Sequence, residues 1–194
     1  SVLFCIFIYH GGIHHTFQMD GLNKNMPVNN QKLQPWTSDL DAIRTWTVAR
    51  TNVQLYNQLI AQGRPLEELV RVRDAYRLSM QLYAGKYGSD ESAFITHTIG
   101  VASIMAGLGY ATDYVAVSVA HNIYRNADWG DARGRSKRPE RRARATEYLG
   151  DDVEALLSRF DELRIKRDSF PGLLEEAERM DDRDRGLLTI ELAD

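Results

Sequence analysis

A single cysteine, Cys5, stands among 194 residues, which excludes an internal disulfide framework and a cysteine-rich zinc site. That scarcity suits a reducing cytoplasm, the expected location. Prolines number five, and strand-like alternation nearly vanishes after residue 30, so sheet-rich architectures have little support. The apolar run Val2–Tyr9 is too short to span a membrane and lacks the basic leader and cleavage site of a signal peptide. Net basic charge is also missing: the formal balance of −3 argues against a general nucleic-acid binder.

What is present is helical periodicity. A hydrophobic content of 43% and a charged content of 26% are those of an ordinary globular chain, and the length fits one domain. Residues 1–37 read as a poorly structured lead and residues 38–194 as the folded, all-α part, a bundle of about six to eight helices. The chain opens on Ser1, so the lead is expected not to be the intact start, with Met19 and Met26 as alternative starts. A short strand is expected over residues 2–9. His10, His14 and His15 have metal-like spacing, but their Gly-rich neighbourhood reads as giving no fixed geometry. Residues 20–37, rich in Asn, Gly and Pro, read as a loop.

The first helix is expected from Ser38 to about Gln62, with Leu40, Ile43, Trp46, Val53 and Ile60 as its buried stripe, ended by Gly63. The second is expected over Pro65–Ala84, with Leu66, Leu69, Val70, Arg73, Tyr76, Met80 and Tyr83 near one face. Met80 and the tyrosines are read as core. A polar turn, GKYGSDES, follows. Two central helices come next, about Ala93–Leu108 and Asp113–Asn126, with Thr112 as N-cap of the second. Small residues on both would let them approach closely. Pro139 opens a helix that Gly150 ends, Asp151 or Asp152 starts another, a loop (164–172) and a short helix (173–180) follow, and a last helix runs from Asp182.

The central pair carries the chemistry. His97 shares a stripe with Phe94, Val101, Ile104 and Leu108, at offsets of three, four, seven and eleven, one face of a helix. His121 shares another with Tyr114, Val117 and Tyr124. Two inward imidazoles on adjacent antiparallel helices are suited to sharing a metal ion, since neutral imidazole is a common ligand. Asp194, on a stripe with Leu187 and Ile190, points inward at the last residue, and the natural chain is expected to continue beyond it.

His97, His121 24 positions later at the end of VAVSVAH, and the late Leu192-Ala193-Asp194 resemble the HD-domain superfamily of helical, metal-dependent phosphohydrolases. The nearest pattern is that of the hydrolase domains of RelA/SpoT-type alarmone enzymes, and the resemblance covers about Tyr83 to Asp194. It implies a divalent metal (Mn, Fe or Zn) on His97, His121 and Asp194. It also implies that the turn bearing Lys86 helps to hold a nucleotide. The chain departs from the pattern where an aspartate should follow the second histidine: it reads His121-Asn122. The acidic pair that should come just after is Arg125-Asn126. Asn122 offers at best a neutral, weaker oxygen ligand, and neither Arg125 nor Asn126 can act as a general base. NIYRNADWGD is also similar to an uncharacterised bacterial branch of the superfamily.

Charge is segregated. Arg133–Arg144 holds seven bases and one acid, while Gly150–Asp194 holds fourteen acids and seven bases. Either these are solvated helix faces paired with each other, or the basic run, with Arg133, Arg135 and nearby Arg125, flanks a site for a small phosphate-bearing ligand. Two functions stand open. One is a helical ligand-binding or interaction module that has lost its chemistry. The other is an atypical metal-dependent phosphohydrolase acting on a nucleotide or other phosphate ester.

Overall fold

The computed structural model describes residues 3–10, 13–20, 47–130, 138–163, 177 and 179–194. Strands β1 (Leu3–His10) and β2 (Ile13–Asp20) form an antiparallel hairpin in which His10 pairs with Ile13 and Leu3 with Asp20. From residue 52 onward the described chain is an all-α bundle. The expected residues Leu40, Ile43 and Trp46, most of the loop and short helix over 164–180, and Arg133 and Arg135 lie outside the described residues.

Helix α1 (Asn52–Ala61) covers the later part of the helix expected from Ser38, whose residues 38–46 lie outside the described residues. Residues 47–50 are not helical, and Thr51 and Gln54 close a capping box: Thr51 Oγ1 accepts from the Gln54 N–H at 3.2 Å, and Gln54 Oε1 accepts from the Thr51 N–H at 3.2 Å. The buried face is also corrected. Leu55 and Leu59 point inward, whereas Val53 and Ile60 are more than half exposed. Amides set this phase. Gln58 Nε2 donates to the Ser103 carbonyl at 3.0 Å, Gln62 Nε2 to the Ala106 carbonyl at 2.9 Å, and Ser103 Oγ donates to Gln58 Oε1 at 2.7 Å.

Helix α2 (Leu66–Leu82) buries Val72, Ala75, Leu78, Ser79 and Leu82. Leu66 and Met80, expected inside, are exposed. The small residues Ala75 and Ser79 face the neighbouring backbone, and Ser79 Oγ donates to the Val119 carbonyl at 3.1 Å. Helix α3 (Phe94–Gly107) and helix α4 (Thr112–Ala120) are the central pair. Ala111, not Thr112, is the N-cap, because the Thr112 hydroxyl is taken up by Arg64 and Glu68. Helix α4 is buried from Val115 to Ala120 and packs on α2 and α3.

The expected continuous helix 113–126 breaks at His121-Asn122, and a short helix α5 (Ile123–Asn126) resumes it. Helix α6 (Arg138–Leu163) kinks at Gly150, whose φ of 75° marks the junction where two helices were expected. Helix α7 (Asp182–Ala193) is capped by Asp181, whose Oδ1 accepts from the Asp184 N–H at 2.7 Å. It packs on α3, α4 and α6 and so brings the end of the chain to the central pair. None of the described helices is long and apolar enough to cross a membrane.

Candidate metal centre

Three elements converge on one point. His97 comes from the first turn of α3, His121 from the C-cap of α4, and Asp194 from the C-cap of α7. Their ligand atoms all lie within 4.8 Å of one another, and no other such group of three or more occurs among the described residues. His97 Nε2 is 2.6 Å and His121 Nε2 2.8 Å from the same atom, Asp194 Oδ1. The two imidazoles meet nearly edge to face, 5.6 Å between centres. His121 is wholly buried, Asp194 mostly so, and His97 opens partly to solvent.

The break in the helix gives His121 its chemical character. Its Nδ1 lies 2.6 Å from the Ser118 carbonyl, which can only accept, so Nδ1 carries a proton. In the neutral ring Nε2 is then a lone pair, and it faces the carboxylate oxygen of Asp194. A metal ion between these two lone pairs would turn the contact into coordination. A backbone carbonyl fixing the tautomer of a ligating histidine is a common outer arrangement of metal sites.

Burial pushes the Asp194 carboxyl up, but hydrogen bonds and charge from His121 and His97 outweigh it and hold the group well below the usual carboxylate range. The carboxylate is therefore ionised and ready to offset a cation. Asn122 Nδ2 lies 2.7 Å from His121 Nε2. A half-turn of that amide puts its oxygen at the same place, the neutral fourth donor expected from the sequence. The donors stand closer together than two bonds of about 2 Å at a tetrahedral angle would hold them, so a bound metal would spread them slightly. The donor set, two imidazoles and a carboxylate, suits Zn, Fe or Mn.

The residues expected to hold phosphate are placed differently. Arg125 faces two acids. Its Nε is 3.2 Å from Asp161 Oδ1, its Nη1 is 3.7 Å from Glu191 Oε2, and its guanidinium lies over the Phe160 ring at 5.1 Å. Phe160 in turn stands edge-on to His121 at 5.9 Å. Lys86 is half-buried at the start of its turn, where its carbonyl accepts from the Phe94 N–H at 3.0 Å. Trp129 is a packing residue: its Nε1 donates to the Ile123 carbonyl at 2.8 Å and its ring stacks on Tyr124.

Charge segregation resolves into pairs where it is described. Arg138 meets Asp161 at 2.7 Å, and Arg142 meets Glu154 at 2.8 Å. Arg141 and Arg144 lie over the Trp129 ring. Sequence reasoning missed Asp161 and Glu191, the acids that hold Arg125. Their only signal was an acidic position on an otherwise apolar helical face. It also missed the Ser118 carbonyl, although Ser118 precedes His121 by the helical spacing of three. Comparison with models of known protein families gives no match, and comparison with curated proteins gives none either.

Proposed function

We propose that the chain is an HD-like helical domain that holds one divalent transition metal on His97, His121 and Asp194 and uses it to bind a ligand. The observation that carries this is the meeting of the His97 and His121 Nε2 atoms at a single oxygen of Asp194. A buried ring whose other nitrogen is already committed to a carbonyl supports the same reading. When bound, the metal supplies a Lewis-acidic point for an anionic oxygen. Binding without turnover is favoured by the side chains around it. Asn122 contributes no charge, and Arg125 is turned to Asp161 and Glu191.

A phosphohydrolase remains the second reading, favoured by the count of protein donors. Two histidines and one carboxylate leave coordination positions open, as catalytic zinc sites do. The first test is elemental analysis of the purified chain and of the His97→Ala plus His121→Ala double variant. Near-stoichiometric Mn, Fe or Zn that vanishes in the variant supports the centre. No metal after reconstitution sinks it. Phosphatase screening of the loaded protein then separates the two readings.

A further inference from the structure

Tyr83 is the C-cap of α2, and its side chain is buried beside the centre. Its ring meets Phe94 edge-on at 4.9 Å, and Phe94 lies 5.6 Å from the His97 ring. The Tyr83 hydroxyl is fully buried, and its proton has no acceptor within hydrogen-bond distance. Buried hydroxyls are nearly always partnered, because a bare one loses its hydration with nothing in return. Burial pushes its pKa up, the Asn122 backbone N–H beside its oxygen pulls it down, and the negative charge of Asp194 pushes it up again, so both polar neighbours come from the centre. Tyr56, the other tyrosine with such a hydroxyl among the described residues, is surrounded instead by Asn52, Tyr76, Arg73 and Asp74.

We infer that Tyr83 is a positioning residue of the centre, its hydroxyl donating to the oxygen ligand that completes the metal's shell. The inference rests on the metal reading above and adds a residue to it. A phenol suits the role. It is rigid, its ring is held by Phe94, and the negative charge of Asp194 keeps the proton on it. The hydroxyl is idle without metal and engaged with it.

The test uses Co(II), whose visible bands report the ligand shell, on the full chain, on His97→Ala and on Tyr83→Phe. Expected is uptake by the native chain, none by His97→Ala, and about tenfold weaker binding with altered bands in Tyr83→Phe, the scale typical of an outer partner of a metal site. The metal-free Tyr83→Phe chain should melt no lower than the native one. Unchanged affinity and bands in Tyr83→Phe would overturn the role of Tyr83 and leave the centre standing. No Co(II) uptake by the native chain would remove both. A Tyr83→Phe chain that fails to fold would show a hydroxyl needed without metal, and would also overturn the inference.

Discussion

At the scale of the residue, the centre turns on position 122. Asn122 places an amide 2.7 Å from His121 Nε2, where a carboxylate would add a second negative charge to the site. Asn122→Asp should therefore tighten divalent metal binding by about tenfold or more, each factor of ten being about 1.4 kcal/mol. The same change should lower the stability of the metal-free chain, since two carboxylates would face each other across the rings. Metal titration followed by calorimetry, with melting of the apo form, reads both signs. A looser site in Asn122→Asp would mean that position 122 does not face the metal. His97, His121 and Asp194 were legible in the sequence because a helical stripe fixes direction. The partners of Arg125 were not. Asp161 and Glu191 lie far from it in the chain, and no local pattern says which acid a guanidinium will reach.

At the scale of the element, helix periodicity gave existence and approximate ends but misjudged which face is buried. On α1 the apolar stripe through Val53 and Ile60 looks out, because Gln58 and Gln62 must reach the Ser103 and Ala106 carbonyls. On α2 the inward face carries Ala75 and Ser79, small residues that admit a neighbouring backbone, so the larger Leu66 and Met80 are left outside. Small residues are equally decisive on α7. A Cβ on Gly186 would stand 2.5 Å from the Tyr114 ring, well inside contact distance. Gly186→Ala should therefore push α7 off α4, costing about 1–3 kcal/mol by overpacking. Urea denaturation reads the loss. Because α7 carries Asp194, metal affinity should fall with it. A Gly186→Ala chain as stable as the native one would mean that α7 does not pack in this register.

At the scale of the whole molecule, opposite charges hold the helices that surround the centre. Arg125 ties α5 to Asp161 of α6 and Glu191 of α7, and Arg159 of α6 grips Asp184 of α7 at 2.5 Å. The most enclosed of these acids is Glu154, just past the Gly150 kink. Its carboxylate accepts from Arg142 at 2.8 and 2.9 Å, from Ser158 at 2.5 Å and from Tyr124 at 2.8 Å. Burial pushes this carboxyl up, but those four bonds outweigh it and hold it below the ordinary glutamate value of 4.5. The native state thus holds the proton less tightly than the unfolded chain does. The stability it contributes is fully present above pH 4.5 and is lost as the pH falls through the lower native value. Glu154→Gln should lower stability near neutral pH, since a neutral amide cannot accept from Arg142 as a carboxylate does. It should also flatten the acid limb of the stability curve. Denaturant midpoints measured from pH 7 down to pH 3 check both, the range being chosen to bracket the 4.5 value. Equal slopes in the two proteins would mean that Glu154 is not the carboxylate through which acid loosens the packing of α6 against α5.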